Sequence, residues 1–320
     1  MITATRAGSR IAVASGKGGT GKTTVAVSLA LALCDHLPVQ LVDCDVEEPN
    51  AHLFLSPHIT RRAPVEIPVP DVDLESCTSC GACAQACRYG ALAVVRKKVL
   101  LYPELCHGCG LCTLVCPERA IRERPRAIGW VEEGDAQGIP FLQGILNVGE
   151  PMATPIIRRL KERLDPERLT ILDAPPGTGC PVIETLKGAD FALLVTEPTP
   201  FGLHDLRLAV EVTRVLGMPA GVVISKDGIG TDAVERYCQE EGLPVLLRIP
   251  MDRGIAESYA RGVPLVDAFP DWREPFRKLF ERILDQLGRE PALPSSCFPP
   301  HRSSPTEGRG ESHALDGIQT

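Results

Sequence analysis

Apolar residues along this chain fall into short runs without a polar face and longer stretches with helical spacing. A short unbroken apolar run is typical of a parallel strand that is buried on both faces. The strand candidates are IAVAS (11–15), VQLVDCD (39–45) and RLTILD (168–173). The helix candidates are TTVAVSLALAL (23–33), MATPIIRRLKERL (152–164), FGLHDLRLAVEVTRVLG (201–217) and REPFRKLFERILDQLG (273–288). This alternation predicts an α/β fold, with helices on both faces of a doubly wound, mostly parallel sheet.

A glycine-rich loop, SGKGGTGKTT (15–24), lies between the first strand and the first helix. Its glycines fit the dinucleotide-binding spacing G-x-G-x-x-G and also the P-loop spacing G-x-x-x-x-G-K-[ST]. The lysine and hydroxyl directly after the last glycine decide for the P-loop, because they serve the nucleotide phosphates and Mg²⁺. Asp173, at the end of a later strand, supplies the second acid that a magnesium site needs. The predicted phosphate-binding residues are Gly16, Lys17, Gly18, Gly19, Thr20, Gly21, Lys22, Thr23 and Thr24.

The early lysine of this loop, Lys17, narrows the class. The stretch GKGGTGKT (16–23) resembles the deviant Walker A motif of the MinD/ParA/nitrogenase-iron-protein group of P-loop ATPases. The resemblance implies an ATP-sandwiched dimer, either a homodimer or a heterodimer with a similar ATPase. It also implies that Lys17 reaches the partner subunit's nucleotide, where it neutralises charge that develops during phosphoryl transfer.

Two further segments resemble the switches of the same group. DCDVEEPN (43–50) resembles switch I, which implies that Asp45 orients the attacking water. DAPPGTG (173–179) resembles the Walker B motif and switch II, which implies that Asp173 holds Mg²⁺ through water, together with the hydroxyl of Thr23. The catalytic residues that the resemblance implies are Lys17, Lys22, Asp45 and Asp173.

A third segment, VVISKDG (222–228), stands where the group usually has an asparagine that reads adenine. Ser225 and Asp227 are the candidates for a base contact in this chain. Because the asparagine is replaced, both ATP and GTP stay open, and the rest of the resemblance favours ATP. Taken together, the resemblance covers most of residues 9–65 and 127–288.

Eight of the 13 cysteines lie in an internal repeat. ESCTSCGACAQACRYGAL (75–92) recurs 29 residues later as ELCHGCGLCTLVCPERAI (104–121), with a glutamate, four cysteines and a glycine at matching offsets. Each copy contains C-x₂-C-x₂-C-x₃-C, the spacing of bacterial two-cluster ferredoxins. A zinc site needs only four ligands and would leave half of these thiolates unused. The sequence therefore predicts two [4Fe–4S] clusters.

The ferredoxin pattern also implies which cysteines share a cluster. In two-cluster ferredoxins, the fourth cysteine of each run binds the other cluster. The expected ligands are Cys77, Cys80, Cys83 and Cys116 for one cluster, and Cys106, Cys109, Cys112 and Cys87 for the other. Such dense ligands leave little room for an apolar core, so the clusters are expected to hold this segment together.

The cysteine runs interrupt the nucleotide-binding pattern rather than follow it. The expected domains are a first part of the P-loop ATPase domain (1–66), an inserted small α+β ferredoxin domain (67–126), a second ATPase part (127–288) and a disordered tail (289–320). The insert begins soon after switch I, and switch II follows it. This order suggests that nucleotide state reorients or exposes the clusters. The alternative is a long insertion that a surface loop tolerates.

Charge and hydropathy limit the partners and the location. The net charge is −7 without a basic run, which argues against nucleic acid as a partner. No apolar stretch reaches the ~18–20 residues that a membrane span needs. The N-terminal MITATRAGSR lacks the apolar segment of a signal peptide. The sequence therefore predicts a cytoplasmic protein.

Two functional hypotheses follow from these motifs. In the first, ATP binding and hydrolysis gate electron transfer through the two clusters to a redox partner. In the second, the protein is an ATP-dependent scaffold or carrier that assembles iron–sulfur clusters or related metallocofactors for a client. Full cysteine ligation within one module favours retention of the clusters, and therefore the first hypothesis.

Among the remaining cysteines, Cys180 falls seven residues after Asp173. The nitrogenase iron protein has a ligand of its bridging cluster at this spacing. One thiolate per subunit leaves a four-iron cluster short of ligands, so a structural role is expected for Cys180.

Overall fold

The computed structural model of the protein describes residues 8–288. The disordered tail predicted for residues 289–320 lies outside this range. The strands within it are β1 (Arg10–Ala14), β2 (Val39–Asp43), β3 (His58–Val72), β4 (Leu92–Val95), β5 (Lys98–Leu101), β6 (Ile121–Ala136), β7 (Ile139–Leu146), β8 (Leu169–Asp173), β9 (Phe191–Thr196), β10 (Ala220–Asp227) and β11 (Val245–Pro250).

Nine of these strands form one sheet, in the order β11-β10-β9-β1-β8-β2-β7-β6-β3. The seven strands from β11 to β7 are parallel neighbours. The other two, β6 and β3, extend one edge in antiparallel pairing. The predicted mostly parallel α/β fold is therefore confirmed, and the three predicted strands correspond to β1, β2 and β8.

Helices cover both faces of the sheet because the buried strands are apolar on both sides. Ile11 and Val13 face one apolar layer with the helices Lys22–Leu33 and Arg273–Leu287, whereas Ala12 and Ala14 face a second layer with the four helices between residues 154 and 240. The four predicted helices correspond to those that begin at Lys22, Thr154, Pro200 and Arg273. The helices are α1 (Lys22–Leu33), α2 (Ala51–Leu55), α3 (Ala82–Ala86), α4 (Leu111–Val115), α5 (Thr154–Lys161), α6 (Cys180–Leu186), α7 (Pro200–Val215), α8 (Ala233–Glu240), α9 (Arg253–Ala260), α10 (Leu265–Ala268) and α11 (Arg273–Leu287).

The two antiparallel edge strands form an arm that leaves the sheet. β6 pairs with β7 only over residues 129–136, but it pairs with β3 along its whole length. Its first eight residues and their β3 partners therefore continue beyond the sheet as a two-stranded ribbon. The prolines of β3 lie in an edge strand, where they need not donate to a ladder.

The cysteine runs lie at the end of this arm, in the cysteine module (residues 73–120). It contains α3, α4 and the β4–β5 hairpin. The boundaries predicted at 66/67 and 126/127 lie opposite each other on the arm, since Ile67 pairs with Arg126. These boundaries stay predictions. No helix among residues 8–288 has both the length and the apolar character needed to cross a membrane.

Candidate functional site

The predicted P-loop connects β1 to α1, which begins at Lys22. Parallel pairing of β1, β8 and β2 brings the carboxyl ends of these strands together, with Asp173 directly opposite Asp43. Lys22 is 7% exposed beside these two acids and Asp45. Burial lowers the pKa of the Lys22 ammonium, and the charges of Asp173 and Asp45 oppose this effect. The fold thus brings one predicted cation and two predicted acids to one place.

Asp173 has the surroundings of a cation ligand. It is fully buried, and neither of its carboxylate oxygens has a hydrogen-bond partner. Burial, and then the charge of Asp43, raises the pKa of Asp173 well above its ordinary value, while the Thr23 hydroxyl and Lys22 favour the charged form. A buried carboxylate whose oxygens accept no hydrogen bond is stabilised in its charged form by a nearby cation. Mg²⁺ prefers oxygen ligands, so Asp173 and Thr23 fit this ion.

An apolar pocket of about 310 Å³ opens beside the same loop. The loop forms one wall through Gly19, Thr20, Gly21 and Thr24, and the other wall comes from β10, the β11–α9 segment and α9. A pocket of this size next to a phosphate loop has room for a nucleotide base. The side chains that enclose it beyond the loop include Ile249, Met251, Ile255 and Tyr259.

The two predicted base-contact residues take different positions relative to this pocket. Ser225 lines it, but its hydroxyl is engaged by the backbone, at 2.6 Å from the Thr20 carbonyl oxygen and 3.1 Å from that of Thr196. Asp227 is not among the lining residues, and its carboxylate lies 3.6 Å from the Arg248 guanidinium. The structure therefore brings Ser225 to the pocket and holds Asp227 outside it.

A second cleft lies between the two predicted switches. Asp45, Glu47 and Glu48 form its first wall, and Pro175, Pro176, Gly179 and Pro181 form its second. The third wall is the loop of residues 147–151, which follows β7. Both switches and this loop therefore meet at one cleft.

The 147–151 loop also contacts the arm. The Leu146 backbone N–H donates to the Val46 carbonyl of the first switch segment (2.7 Å), and the Asn147 N–H donates to the Ile128 carbonyl of β6 (2.9 Å). Glu150 forms a two-pronged ion pair with Arg126 of β6. These hydrogen bonds and the ion pair thus connect the predicted switch I segment to the strand that leads to the cysteine module.

In the cysteine module, the eight cysteines line two separate cavities. The first is lined by Cys77, Cys80, Cys83 and Cys116. The second is lined by Cys87, Cys106, Cys109 and Cys112. Each cavity therefore receives three cysteines from one run and one from the other, which is the crossed grouping expected from the sequence.

The sequence repeat is also a repeat of backbone conformation. Ser79 and Gly108, at matching positions, have φ values of 56° and 64°, and Gly81 and Gly110 have 85° and 72°. The turns aim backbone N–H groups at sulfur: Ser79 donates to Cys77 Sγ and Gly108 to Cys106 Sγ, both at 3.4 Å. Hydrogen bonds to the ligating sulfurs are among the features by which a protein tunes a bound iron–sulfur cluster.

Within residues 8–288, no three His, Cys, Asp or Glu side chains converge as ligands of a single metal ion. Each cysteine of a [4Fe–4S] cluster binds a different iron, so its four sulfurs surround a space instead of converging on one point. Four cysteines around a cavity, with N–H groups directed at sulfur, fit such a cluster.

Comparison with known proteins identifies the family. The model of the CobQ/CobB/MinD/ParA nucleotide binding domain matches residues 11–265. The chain belongs to this family. The uncharacterized protein MJ0579 of Methanocaldococcus jannaschii is 31% identical over 255 residues, which cover 79% of this chain and 89% of that protein. The iron-sulfur cluster carrier protein of the same organism is 24% identical, over 87% of this chain and 84% of the relative.

A solved structure of similar fold is the septum site-determining protein MinD of Pyrococcus horikoshii, in complex with Mg-ADP. It is 20% identical and covers 86% of this chain and 95% of its own, with a TM-score of 0.54. At this identity, the likeness shows the MinD-like P-loop fold alone.

For this member of the CobQ/CobB/MinD/ParA family, sequence reasoning gave no role to Asp43. The carboxylate is fully buried and accepts the backbone N–H groups of Asp45, Asn50 and Ala51 at 2.9–3.0 Å. Burial raises its pKa to about 7, and these hydrogen bonds oppose the rise. Burial likewise raises the pKa of Asp45 to about 6. Asp43 therefore fixes the backbone of the predicted switch I segment. The sequence feature that could have revealed this role is its position at the end of β2.

Sequence reasoning also missed Glu197, which follows β9 at its carboxyl end. Its carboxylate forms an ion pair with Lys17 through Oε1 and with Lys226 through Oε2 (2.9 Å). Burial on its own would raise the pKa of Glu197, but hydrogen bonds from the Lys17 and Lys226 ammonium groups lower it. Lys17 is therefore held by an acid of its own subunit. The only feature of the sequence that could have pointed to Glu197 is an acid directly after the apolar run that forms β9.

Proposed function

We propose that this chain hydrolyses ATP, holds two [4Fe–4S] clusters in its cysteine module, and acts in the assembly or delivery of iron–sulfur clusters or related metallocofactors. The observation that carries the proposal is the pair of four-cysteine cavities on an arm of a nucleotide-binding sheet. Similarity over most of the chain to a protein named an iron-sulfur cluster carrier supports assembly as the purpose. The protein is expected to act as a dimer, with itself or with a similar ATPase.

The nucleotide chemistry is assigned to residues around the P-loop. Lys22 would contact the β- and γ-phosphates, and Thr23 and Asp173 would hold Mg²⁺, which screens the phosphate charge. Asp45 lies in the switch I cleft and would orient the water that attacks the γ-phosphate. Lys17 would neutralise charge on the partner's nucleotide. The products are ADP and phosphate.

The cysteines of each cavity would hold one cluster through four thiolates. A bound [4Fe–4S] cluster accepts or donates one electron and, when labile, is itself transferable. The N–H groups that point at Cys77, Cys106 and Cys116 sulfurs would stabilise the bound form. Cys87 and Cys116 bridge the two halves, so loss of one cysteine run would disturb both cavities.

Coupling between the two sites is supported by the contacts of the 147–151 loop. Leu146, at the end of β7, donates to Val46 of the predicted switch I, and the adjoining Asn147 of the loop donates to Ile128 of β6. A change in switch I would therefore be transmitted to the arm through the Glu150–Arg126 ion pair and the backbone. This arrangement favours a role for the nucleotide in cluster chemistry over a tolerated insertion.

Nucleotide-gated electron transfer is the second candidate function. It is favoured by the fact that each cavity has a complete set of four cysteines within one module. A complete ligand set retains a cluster, whereas a carrier must release one. A redox partner would then take the place of the assembly client.

An anaerobic transfer experiment tests the first candidate. The purified protein, reconstituted to about eight iron atoms per chain, is incubated with the apo form of a [4Fe–4S] enzyme, with and without Mg-ATP. We expect recovery of the acceptor's activity and faster recovery with ATP. Lys22→Gln serves as the control, since loss of the phosphate contact should lower ATPase activity by about a hundredfold and remove the ATP effect without loss of iron.

The outcomes separate the candidates. A protein that binds no iron after reconstitution contradicts both. A protein that retains its iron in the presence of the acceptor, but whose cluster potential shifts by about 59 mV or more with a non-hydrolysable ATP analogue, supports gated electron transfer instead.

A further inference from the structure

Lys17 has two incompatible partners in the proposed mechanism. In the dimer it reaches the nucleotide of the partner subunit, but in the single chain its ammonium forms an ion pair with Glu197. The Lys17 side chain is 32% exposed and that of Glu197 is 10% exposed, so the pair is partly shielded from water. Lys17 must therefore exchange one anion for another when the dimer forms.

Glu197 is placed rigidly for this contact. It directly follows β9, and β9 pairs with β1, the strand that precedes the P-loop. The Thr199 hydroxyl lies 3.3 Å from Oε1. A Cβ on Gly202 would overlap the Glu197 carbonyl oxygen and lie 3.0 Å from its Cγ, so the first turn of α7 packs closely on this residue. The acid therefore has little freedom to follow Lys17 when the lysine moves.

Lys226 makes the exchange feasible. Its ammonium lies 2.9 Å from Glu197 Oε2 and 3.0 Å from the Gly19 carbonyl oxygen of the P-loop. Its backbone is left-handed, with φ of 53°, a conformation that few non-glycine residues adopt without a local reason. When Lys17 leaves, Glu197 keeps one cation and does not become an unpaired, nearly buried charge, which would be strongly unfavourable.

We propose that Glu197 is a positioning residue that holds Lys17 on its own subunit until the phosphates of a partner-bound ATP compete for it. Lys226 stays with Glu197 and supports the P-loop while Lys17 is away. The ion pair then opposes dimerisation and makes it depend on a strong competing anion. This inference rests on the dimer and the Lys17 contact of the proposed function.

Sedimentation velocity with a non-hydrolysable Mg-ATP analogue tests this role. We expect Glu197→Gln to lower the protein concentration of half-dimerisation by about three- to fivefold, the worth of a partly exposed ion pair. In a Lys17→Ala background, the same substitution should have no effect, because the pair is already absent. Glu197→Asp, which keeps the charge but withdraws it by one methylene, should shift the midpoint in the same direction.

The control is Glu241→Gln, which removes the surface ion pair with Arg214 and should leave dimerisation unchanged. An unshifted or weakened Glu197→Gln dimer, or an equal shift in the Lys17→Ala background, would overturn the inference while the wild type still dimerises. A wild type that stays monomeric with the analogue would overturn the dimer itself, and the inference with it. A failure of the inference is therefore seen in the Glu197 variants, whereas a failure of the proposed dimer is seen in the wild type.

Discussion

The main sheet and the cysteine module of this chain owe their structure to different forces. Both faces of the sheet are covered by apolar layers, in which α11 alone buries Phe276, Leu279, Phe280 and Ile283. The small apolar cluster at the module contains only Cys83 and Leu92 together with Ile121 of β6, and the module's helices have five residues each. A sheet of this kind is stabilised by burial of apolar area, whereas the module lacks enough of it. One polypeptide thus contains a part that folds by its own core and a part that depends on its ligands.

The arm connects the two parts, and its residues also line the cysteine cavities. The second cavity reaches Pro68 and Pro70 of β3 and Glu123 of β6, nearer to the sheet than Val72 and Ile121 at the first cavity. Cys106 also belongs to the second apolar layer of the sheet. Along the arm, the cavity with Cys106 therefore lies closer to the main sheet, and so to the nucleotide site, than the first cavity does.

Removal of iron should give the largest effect. Chelation of a reconstituted sample should leave amides of residues 73–120 exchanging with solvent as in an unfolded chain, because the clusters replace a core there. Amides of β1, β2 and β8 should keep their protection, since apolar residues from outside the cysteine module supply nearly all of the core around these strands. Hydrogen exchange measured by mass spectrometry checks both regions in one sample. An equal loss of protection in the main sheet would contradict the view that only the module depends on its ligands.

Phe276→Ala perturbs the core of the main sheet and leaves the cysteine module unchanged. Phe276 is fully buried under the sheet, so its truncation should lower the free energy of unfolding by about 3–5 kcal/mol. Iron content per folded chain should not change, because no cysteine ligand contacts this layer. Phe201→Ala is the matched control: its ring is 77% exposed, and the expected change is within about 0.5 kcal/mol. Urea unfolding and iron analysis provide the two readouts.

Arg126→Gln tests the connection between the regions. The two-pronged ion pair with Glu150 is lost, so the effect of an ATP analogue on the cluster potential should fall, while ATP hydrolysis persists. Arg124→Gln is the control, since Arg124 lies on the same strand, is exposed, and has no ion pair among residues 8–288. Redox titration by EPR makes the measurement, and a nucleotide effect that survives in Arg126→Gln would assign the coupling elsewhere.

The last comparison concerns two exposed cysteines, one in each region, of which Cys180 should give the smallest effect. Cys180 begins α6 of the main fold, and Cys109 lines the second cavity. Cys109→Ser should lose about half of the bound iron, because one of two clusters loses a ligand. Cys180→Ser should keep all of it. Iron lost from Cys180→Ser would instead place a cluster between subunits.

Local sequence determined much of the candidate site. The P-loop is encoded by eight consecutive residues, 16–23, because phosphate binding uses backbone N–H groups and side chains of a single turn. The two cysteine cavities follow from short spacings within each run, and the same spacing predicted the crossed grouping. The mostly parallel sheet followed from apolar runs such as IAVAS (11–15), whose burial on both faces requires helices on both sides.

Tertiary structure decided the features whose partners are distant in sequence. Lys17 and Glu197 are 180 residues apart, and no spacing rule connects them; only the adjacency of β1 and β9 does. The Arg126–Glu150 pair depends on β6 leaving the sheet where the 147–151 loop begins. Ser225 was predicted to meet the base from its place in the chain, but its hydroxyl is bound by the P-loop backbone. The spacing of residues along the chain determines contacts within one turn or loop. The order of the strands in the sheet determines which distant loops lie next to each other.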